Sequence, residues 1–279
     1  MSWKPASRRD LAGILRLVLE DEALCVSLSS RIREQDRGSS IFVNLGPEGD
    51  VSECFLYTSY GLLLPVLPRN GDPEGMKAVI SGLKPAIHSI MGVASWVQRA
   101  EDLMPLPPTT RIEYHLMRLD RRDIAPRAVP RVPRAPGVLI RRASPEDADA
   151  LFPLQCSYEH EEVIVDPTLF SDTQCMRMLK RSLRTELVFL AEKDGIPLAK
   201  AGTNARGYDV DQIGGVFTAV PQRRKGLAED VMIALLSRVY KEKNTACLFV
   251  KKSNPGALAL YRKLEFRICA DYVISYYGI

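Results

Sequence analysis

The residue types best suited to chemistry lie in a basic turn at positions 223–226, Arg-Arg-Lys-Gly. An apolar segment with strand composition, residues 213–220, precedes this turn and is ended by Pro221. Apolar residues then recur at three- and four-residue spacings between Leu227 and Val239, which predicts a helix with one buried face. The first amides of a helix lack partners and carry its positive end, and a glycine lets an anion approach the backbone. The sequence therefore predicts a phosphate-binding site at this turn.

Other phosphate-binding motifs do not fit the turn. No Gly-Lys-Ser/Thr closes it as in a Walker motif, and its spacing is not G-x-G-x-x-G. Instead it resembles the R/Q-x-x-G-x-G/A signature of the GNAT acyltransferase superfamily, matched by Arg223, Gly226 and Ala228.

A second segment, residues 254–266, is similar to another GNAT motif, N-x-x-A-x-x-x-Y-x-x-x-G-F. Asn254, Ala257 and Tyr261 match this pattern. Glu265 departs from it, because the family usually has glycine there, so the turn after the helix is expected to differ. Asn254 before Pro255 also has the composition of a helix cap. The cap and a place near the cofactor are compatible interpretations of Asn254.

The resemblance implies acetyl-CoA as acyl donor, with no metal. Backbone amides of residues 224–228 would hold its pyrophosphate. In the family the strand before the turn bulges, which frees an N–H near Phe217, Thr218 or Ala219 to polarise the thioester carbonyl. The alternative for residues 213–220 is an ordinary core strand. The residues implied in acetyl-CoA binding are Phe217, Thr218, Ala219, Val220, Arg223, Arg224, Lys225, Gly226, Leu227, Ala228, Asn254, Ala257 and Tyr261.

Acyl transfer to an amine also needs a general acid for the departing thiolate and a general base for the acceptor. The resemblance implies that Tyr261 protonates the departing thiolate, since a phenol of pKa about 10 can donate to a thiolate whose acid has a pKa of about 8.5. The alternative is a half-buried aromatic residue. For the base, Glu159 and Glu162 lie in an acidic segment, residues 159–162, where the family usually builds its acceptor site. The alternative for this segment is a solvated helix end.

Composition limits the class of protein. A chain of 279 residues has room for two domains, and its net charge of +4 predicts no nucleic-acid partner. The six cysteines form no C-x-x-C pair, which is typical of reduced thiols in a cytoplasm rather than of disulfides or zinc sites. No apolar run reaches membrane-spanning length, so we expect a cytoplasmic protein without a membrane partner.

The predicted order of elements in residues 137–279 is β-α-α-β-β-β-α-β-α-β, including a hairpin about Asp194 and Gly195. This is the order of a whole GNAT domain, an α+β or α/β fold whose mixed, mostly antiparallel sheet is flanked by helices. Residues 1–120 end in a similar order, strand, helix, strand, helix, strand, but they lack both motifs. We therefore expect a degenerate GNAT-like domain in 1–120 and a catalytic one in 137–279.

Residues 121–136 contain five arginines and four prolines and are predicted to be an extended linker. The alternative is a contact with nucleic acid or an acidic partner. For the whole chain the leading hypothesis is an acyl-CoA-dependent N-acyltransferase that moves an acetyl group from acetyl-CoA to an amine by direct attack in a ternary complex. The alternative is a non-catalytic acyl-CoA sensor or scaffold. Tyr261 favours the enzyme, because a sensor has no thiolate to protonate.

Overall fold

The computed structural model describes residues 2–69, 71–123, 135–164 and 166–278. The helices are α1 (Leu11–Glu20), α2 (Val26–Arg33), α3 (Pro73–Ser81), α4 (Ala94–Glu101), α5 (Ala148–Tyr158), α6 (Asp172–Thr185), α7 (Leu227–Val239) and α8 (Pro255–Lys263). The strands are β1 (Ser2–Pro5), β2 (Ser39–Leu45), β3 (Val51–Thr58), β4 (Leu62–Val66), β5 (Ser89–Val93), β6 (Thr110–Asp120), β7 (Leu139–Arg142), β8 (Val188–Lys193), β9 (Ile196–Arg206), β10 (Val210–Thr218), β11 (Thr245–Lys251) and β12 (Arg267–Tyr276).

The chain divides into two compact units. The first unit comprises Met1–Arg118, Phe249–Leu258 and Arg267–Ile279, and the second comprises Leu119–Leu248 and Ala259–Phe266. The first boundary lies two residues from the expected end at position 120. The expected continuous domain 137–279 differs from this division, because β12 belongs to the first unit. Of the linker expected at 121–136, residues 124–134 lie outside the described residues, and Arg121–Asp123 form a 3-10 turn.

In the first unit the strands follow the order β1-β2-β3-β4-β5-β12-β6. Neighbours are antiparallel except β4 and β5, which run parallel. The last strand of the chain, β12, lies between β5 and β6 and pairs with both, for example Tyr272 with Val93 and with Tyr114. Alternate apolar residues of these strands face a core that includes Phe55, Leu63 and Ile90.

In the second unit the order is β7-β8-β9-β10-β11. Strands β7 to β10 are antiparallel, and β11 pairs in parallel with the start of β10, from Val210 opposite Thr245 to Gln212 opposite Cys247. Helices α5 and α6 contribute Leu151 and Leu179 to a core that also contains Leu190. Each unit thus contains antiparallel strands followed by a helix and a strand parallel to the last of them. The mixed, mostly antiparallel sheet flanked by helices confirms the predicted fold class.

Local hydrogen bonds and turns set the ends of several elements. Helix α6 begins at Asp172, because the Ser171 hydroxyl accepts from the Gln174 N–H at 3.3 Å and caps it. The strand predicted to Val220 ends at Thr218, since Val220–Gln222 form a 3-10 turn around Pro221. The hairpin turn is confirmed, with φ of 52° at Asp194 and 77° at Gly195.

Candidate active site

The basic turn leads directly into helix α7. Gly226 stands before the first helical residue in the left-handed region, with φ of 81°, and no side chain caps the helix there. Arg224 also has a positive φ, 64°, so two residues of the turn are left-handed. Such a turn, followed by an uncapped helix start, collects backbone N–H groups whose positive ends face outward. The geometry is that of an anion-binding site.

Arg223 connects this turn to the acidic segment. Its Nη2 lies 2.6 Å from Glu161 Oε2, and its Nε donates to the Thr218 carbonyl at 3.1 Å. The guanidinium also lies over the ring of Phe217, 5.3 Å from its centroid. The side chains of Arg224 and Lys225 are exposed, and Lys225 donates to Gln222. The exposed cations thus surround the helix start.

Strand β10 bulges before it reaches the turn. Gly214 is opposite Gly202 and Phe217 is opposite Lys200, so two residues of β10 face one residue of β9. One of these two is Gly215, whose φ of 60° favours glycine. The structure therefore contains the kind of bulge that the family resemblance implied.

The N–H groups after the bulge differ in availability. The Ala219 N–H donates to the Leu198 carbonyl at 2.9 Å and is therefore occupied. Successive residues of an antiparallel strand point their polar groups alternately to one neighbour and then away from it. Thr218, one residue before Ala219, therefore directs its N–H away from β9, and its carbonyl faces Arg223. By the same alternation Phe217 directs its N–H toward β9, as Ala219 does, so the Thr218 N–H is the remaining candidate for the thioester carbonyl.

The acidic segment forms a π-helical turn, Glu159–Val163, at the end of α5. Glu159 and Glu162 are half-buried, whereas Glu161 is exposed and pairs with Arg223. Glu159 Oε1 accepts from Gln155 Nε2 at 2.7 Å. The ring of His160 contacts that of Phe170, with 4.2 Å between centroids and 45° between the ring planes. The turn therefore separates Glu159 and Glu162, the two predicted base candidates, from the exposed Glu161.

Tyr261 is buried near the end of α8. Burial raises its pKa above the ordinary tyrosine value, and the nearby Tyr158 and Glu162 raise it further. Glu265 has a φ of 72° and occupies the left-handed position where the family has glycine. The turn after α8 therefore keeps a left-handed residue at the position where the sequence departs from the motif. The phenol of Tyr261 stays protonated through the neutral range and can donate its proton.

Asn254 is the cap that the sequence predicted. Its Oδ1 accepts from the Ala257 N–H at 3.0 Å, and Pro255 is the first helical residue. Asn254 and Ala257 group with the first unit, whereas Tyr261 groups with the second. A role for Asn254 and Ala257 in binding the cofactor stays a prediction.

Two residues near the bulge were missed from the sequence. Lys200 is buried on β9, and its Nζ donates to the Gly215 carbonyl at 3.0 Å. Tyr158 packs edge to face on Phe217 with 6.0 Å between centroids, and Lys200 Nζ lies 4.3 Å from the centre of the Tyr158 ring. The signal for Lys200 was a lone cation inside an otherwise apolar strand segment, residues 198–202.

In the corresponding turn of the first unit, carboxylate side chains accept hydrogen bonds from the backbone N–H groups. Asp72 caps helix α3, and its Oδ1 accepts from the Gly75 N–H at 2.9 Å. The buried Glu53 accepts from the Gly71 N–H at 3.3 Å and pairs with Arg99 at 2.8 Å. A carboxylate at the helix start takes the place of an anionic ligand and repels another anion. This turn is therefore unsuited to a phosphate.

The described residues contain neither a metal-binding cluster nor a disulfide. Within the described ranges no group of three or more His, Cys, Asp or Glu side chains could hold a metal ion. All six cysteines lie in those ranges as free thiols. No helix in the described part of the chain is long and apolar enough to cross a membrane.

Residues 200–274 match the family model described as FR47-like protein. Over nearly the whole chain, the structure is similar to a GCN5-related N-acetyltransferase from Sphaerobacter thermophilus, with a TM-score of 0.64 and 18% identity over 99% of this chain and 96% of that one. The chain has the GNAT fold. The recognition of GNAT motifs in the sequence is thereby confirmed at the level of fold.

Two other solved structures share this GNAT fold over almost their full length. A Drosophila protein has a TM-score of 0.73 at 14% identity, covering 98% of both chains. A tandem GNAT protein from the clavulanic acid biosynthesis pathway has a TM-score of 0.62 at 14% identity, covering 98% of this chain and 97% of that one. No curated protein matches the sequence. The likeness to a tandem protein agrees with the repeated order of elements in the two units.

Proposed function

We propose that the protein is an acyl-CoA-dependent N-acyltransferase that transfers an acetyl group from acetyl-CoA to an amine in a ternary complex. The observation that carries this proposal is the start of α7. There an uncapped helix end, the left-handed Gly226 and the exposed Arg224 and Lys225 support a phosphate site. The matching turn of the first unit is occupied by Asp72, so the proposed cofactor site belongs to the second unit.

The residues of the second unit fit acetyl-CoA as co-substrate. The amides of residues 224–228 would hold the pyrophosphate, with Arg223, Arg224 and Lys225 adding positive charge. Bound acetyl-CoA supplies an acyl thioester, whose carbonyl oxygen needs a hydrogen-bond donor as charge develops on it. The N–H of Thr218 is that donor in our proposal, since a fixed backbone dipole stabilises the developing charge without reorganisation.

Proton transfers complete the proposed reaction. Glu159 or Glu162 takes a proton from the acceptor ammonium, directly or through a water molecule, which frees the amine lone pair for attack. The new C–N bond forms as the C–S bond breaks, and Tyr261 gives its proton to the departing thiolate. The nitrogen then loses its remaining extra proton, which returns to the Tyr261 phenolate directly or through water, so that a neutral amide and a neutral thiol are released. The raised pKa of Tyr261 keeps that proton in place at neutral pH until the thiolate needs it.

The charge of the acidic segment supports an amine as acceptor. Glu159 and Glu162 lie beside Tyr158, and a protonated amine would be attracted to them. We include neither a nucleic acid nor a membrane among the proposed partners. The free cysteines are compatible with a reducing compartment, so a cytoplasmic location is part of the proposal.

The proposal is tested by measuring CoA release from acetyl-CoA over a panel of polyamines, amino sugars, amino acids and peptides with free amines. We expect acetyl-CoA binding by calorimetry and CoA release with at least one class of amine. Binding without release for any amine would favour the sensor over the enzyme. Absence of binding would contradict both functions.

A further inference from the structure

Lys200 is a buried cation that the proposed reaction does not use. It lies on β9 with only 5% of its surface exposed, and its Nζ donates to the Gly215 carbonyl at 3.0 Å. Burying an ammonium is costly unless other groups replace its water. A lysine kept in such a place therefore has its charge compensated by specific neighbours.

Those neighbours surround one residue of the bulge. The face of the Tyr158 ring lies 4.3 Å from Lys200 Nζ, within the range of a cation–π contact. The Gly215 backbone faces the Tyr158 phenol and opposes the rise in the pKa of Tyr158 that burial causes. Lys200 and Tyr158 are thus both next to the same residue, Gly215.

Gly215 is the flexible point of strand β10. It lies in the bulge with a φ of 60°, and a Cβ atom built on it would be 3.1 Å from Lys200 Nζ. Three residues further along, Thr218 directs its N–H away from β9. Because a bulge changes the direction of the residues that follow it, the orientation of Gly215 determines where this N–H points.

We propose that Lys200 is a positioning residue for acyl transfer: by holding the Gly215 carbonyl, its ammonium fixes the bulge that orients the N–H of Thr218 toward the thioester carbonyl. This inference rests on the proposed function. Lys200 acts through Gly215 and does not touch the reacting atoms. A misplacement of about 1 Å at a reacting centre can lower a rate about 100-fold, so this support matters for catalysis.

We call the hydrogen bond from Lys200 Nζ to the Gly215 carbonyl the clamp, and its strength depends on pH. Burial lowers the pKa of Lys200 to about 8, although the negative charge of Glu159 opposes this fall. The other titratable groups facing it do not lose protons near that pH, because burial raises the pKa of Tyr158, of Cys156 and of Cys175, the last to about 12. A neutral amine donates a weaker hydrogen bond than an ammonium. The clamp therefore weakens above about pH 8.

The opposite dependence is expected for stability. The folded pKa of Lys200 lies below the unfolded value of 10.5, so between about pH 8 and 10.5 the unfolded chain binds more protons. The contribution of Lys200 to unfolding free energy accordingly rises with pH in this window. A purely structural lysine would not lower kcat over the pH range in which its contribution to the unfolding free energy increases.

The test compares Lys200→Met and Lys200→Gln with the wild type in the full chain. Lys200→Met removes both the donor and the charge, whereas Lys200→Gln keeps an uncharged donor. We expect acetyl-CoA affinity within about threefold of wild type, and kcat lowered about 10- to 100-fold in Lys200→Met and less in Lys200→Gln. The wild-type decline in kcat above about pH 8 should be absent from both variants. Unchanged kcat and pH profile in Lys200→Met would overturn the proposal.

A second measurement does not depend on activity, and it uses two variants so that the test survives if one of them fails to fold. We expect backbone amides of residues 215–218 to exchange hydrogen at least tenfold faster in Lys200→Met and in Tyr158→Phe, which keeps the lysine but removes the hydroxyl. Unchanged exchange in variants that fold would overturn the clamp. If the wild type released no CoA but the variants exchanged faster, the clamp would stand and the proposed function would fail.

Discussion

The N–H of Phe266 donates to the carbonyl of Tyr261 at 3.0 Å, and the two rings meet edge to face with 6.1 Å between their centroids. The Glu265 N–H donates to the Arg262 carbonyl at 2.9 Å. These bonds form a Schellman cap with Glu265 in its left-handed position. The residue proposed to donate the proton is therefore also held by the structure that ends α8.

Glu265 is strained in this cap, and a glycine at its position would relieve the strain. Glycine adopts a φ of 72° without steric cost, whereas a residue with a Cβ pays about 1 kcal/mol or more. We expect Glu265→Gly to raise the unfolding free energy by about 1 kcal/mol in urea unfolding, with turnover unchanged. Glu265→Ala is the control, because it removes the carboxylate but keeps the Cβ. Its unfolding free energy should rise by a few tenths of a kcal/mol at most. A Glu265→Gly variant less stable than wild type would contradict the cap.

The cofactor turn is tested by two glycines with the same left-handed backbone conformation. Gly226 at φ 81° precedes α7, and Gly195 at φ 77° lies in the β8–β9 turn. Gly226→Val and Gly195→Val should each lose about 1–2 kcal/mol of stability. Only Gly226→Val should also lose acetyl-CoA binding, because the added side chain obstructs the approach of phosphate. Equal affinities of the two variants by calorimetry would remove the site from this turn.

The number of cofactor sites distinguishes the two units. Separate fragments are unsuitable for this test, because β12 completes the sheet of the first unit. In the full chain we expect one acetyl-CoA per chain by calorimetry. Asp72→Asn should leave this number unchanged, since asparagine still caps α3 and closes its start. Binding of two molecules, or one retained in Gly226→Val, would assign a site to the first unit.

The sequence predicted those parts of the site that depend on local spacing. The helix start at Gly226, the cap at Asn254 and the position of Tyr261 on α8 are all set by residues within one or two turns. Lys200 and Tyr158 were missed because their importance depends on the bulge at Gly215, which brings three separate segments together. The place of β12 between β5 and β6 was also missed, since strand pairing at this separation leaves no local signal.

The general base is identified by comparing three carboxylates in the same turn. Glu159 and Glu162 are half-buried, and Glu161 is exposed and paired with Arg223, so Glu161→Gln is the matched control. We expect Glu→Gln at the true base to lower kcat by about 10²- to 10⁴-fold and to abolish the rise of rate with pH. A carboxylate that only attracts the acceptor would mainly raise its KM. Wild-type pH profiles in both Glu159→Gln and Glu162→Gln would exclude these two residues as the base.

Two buried tyrosines of the second unit form the matched pair for the central claim. The Tyr240 hydroxyl donates to the Leu119 carbonyl at 2.8 Å and has no proposed part in the reaction, whereas Tyr261 is the proposed acid. Either substitution by phenylalanine keeps the ring, so each should preserve acetyl-CoA binding. Tyr240→Phe should cost about 1 kcal/mol of stability and leave turnover intact.

The measurement that tests the account most directly is the rate of CoA release by Tyr261→Phe, with the amine that the wild type uses best. We expect kcat to fall by about 10²- to 10⁴-fold, with acetyl-CoA affinity within about twofold of wild type and Tyr240→Phe fully active. Since the pKa of Tyr261 is raised, the wild-type rate should show no loss from this group below about pH 10. Full activity of Tyr261→Phe would contradict the account, because the thiolate would then take its proton from elsewhere.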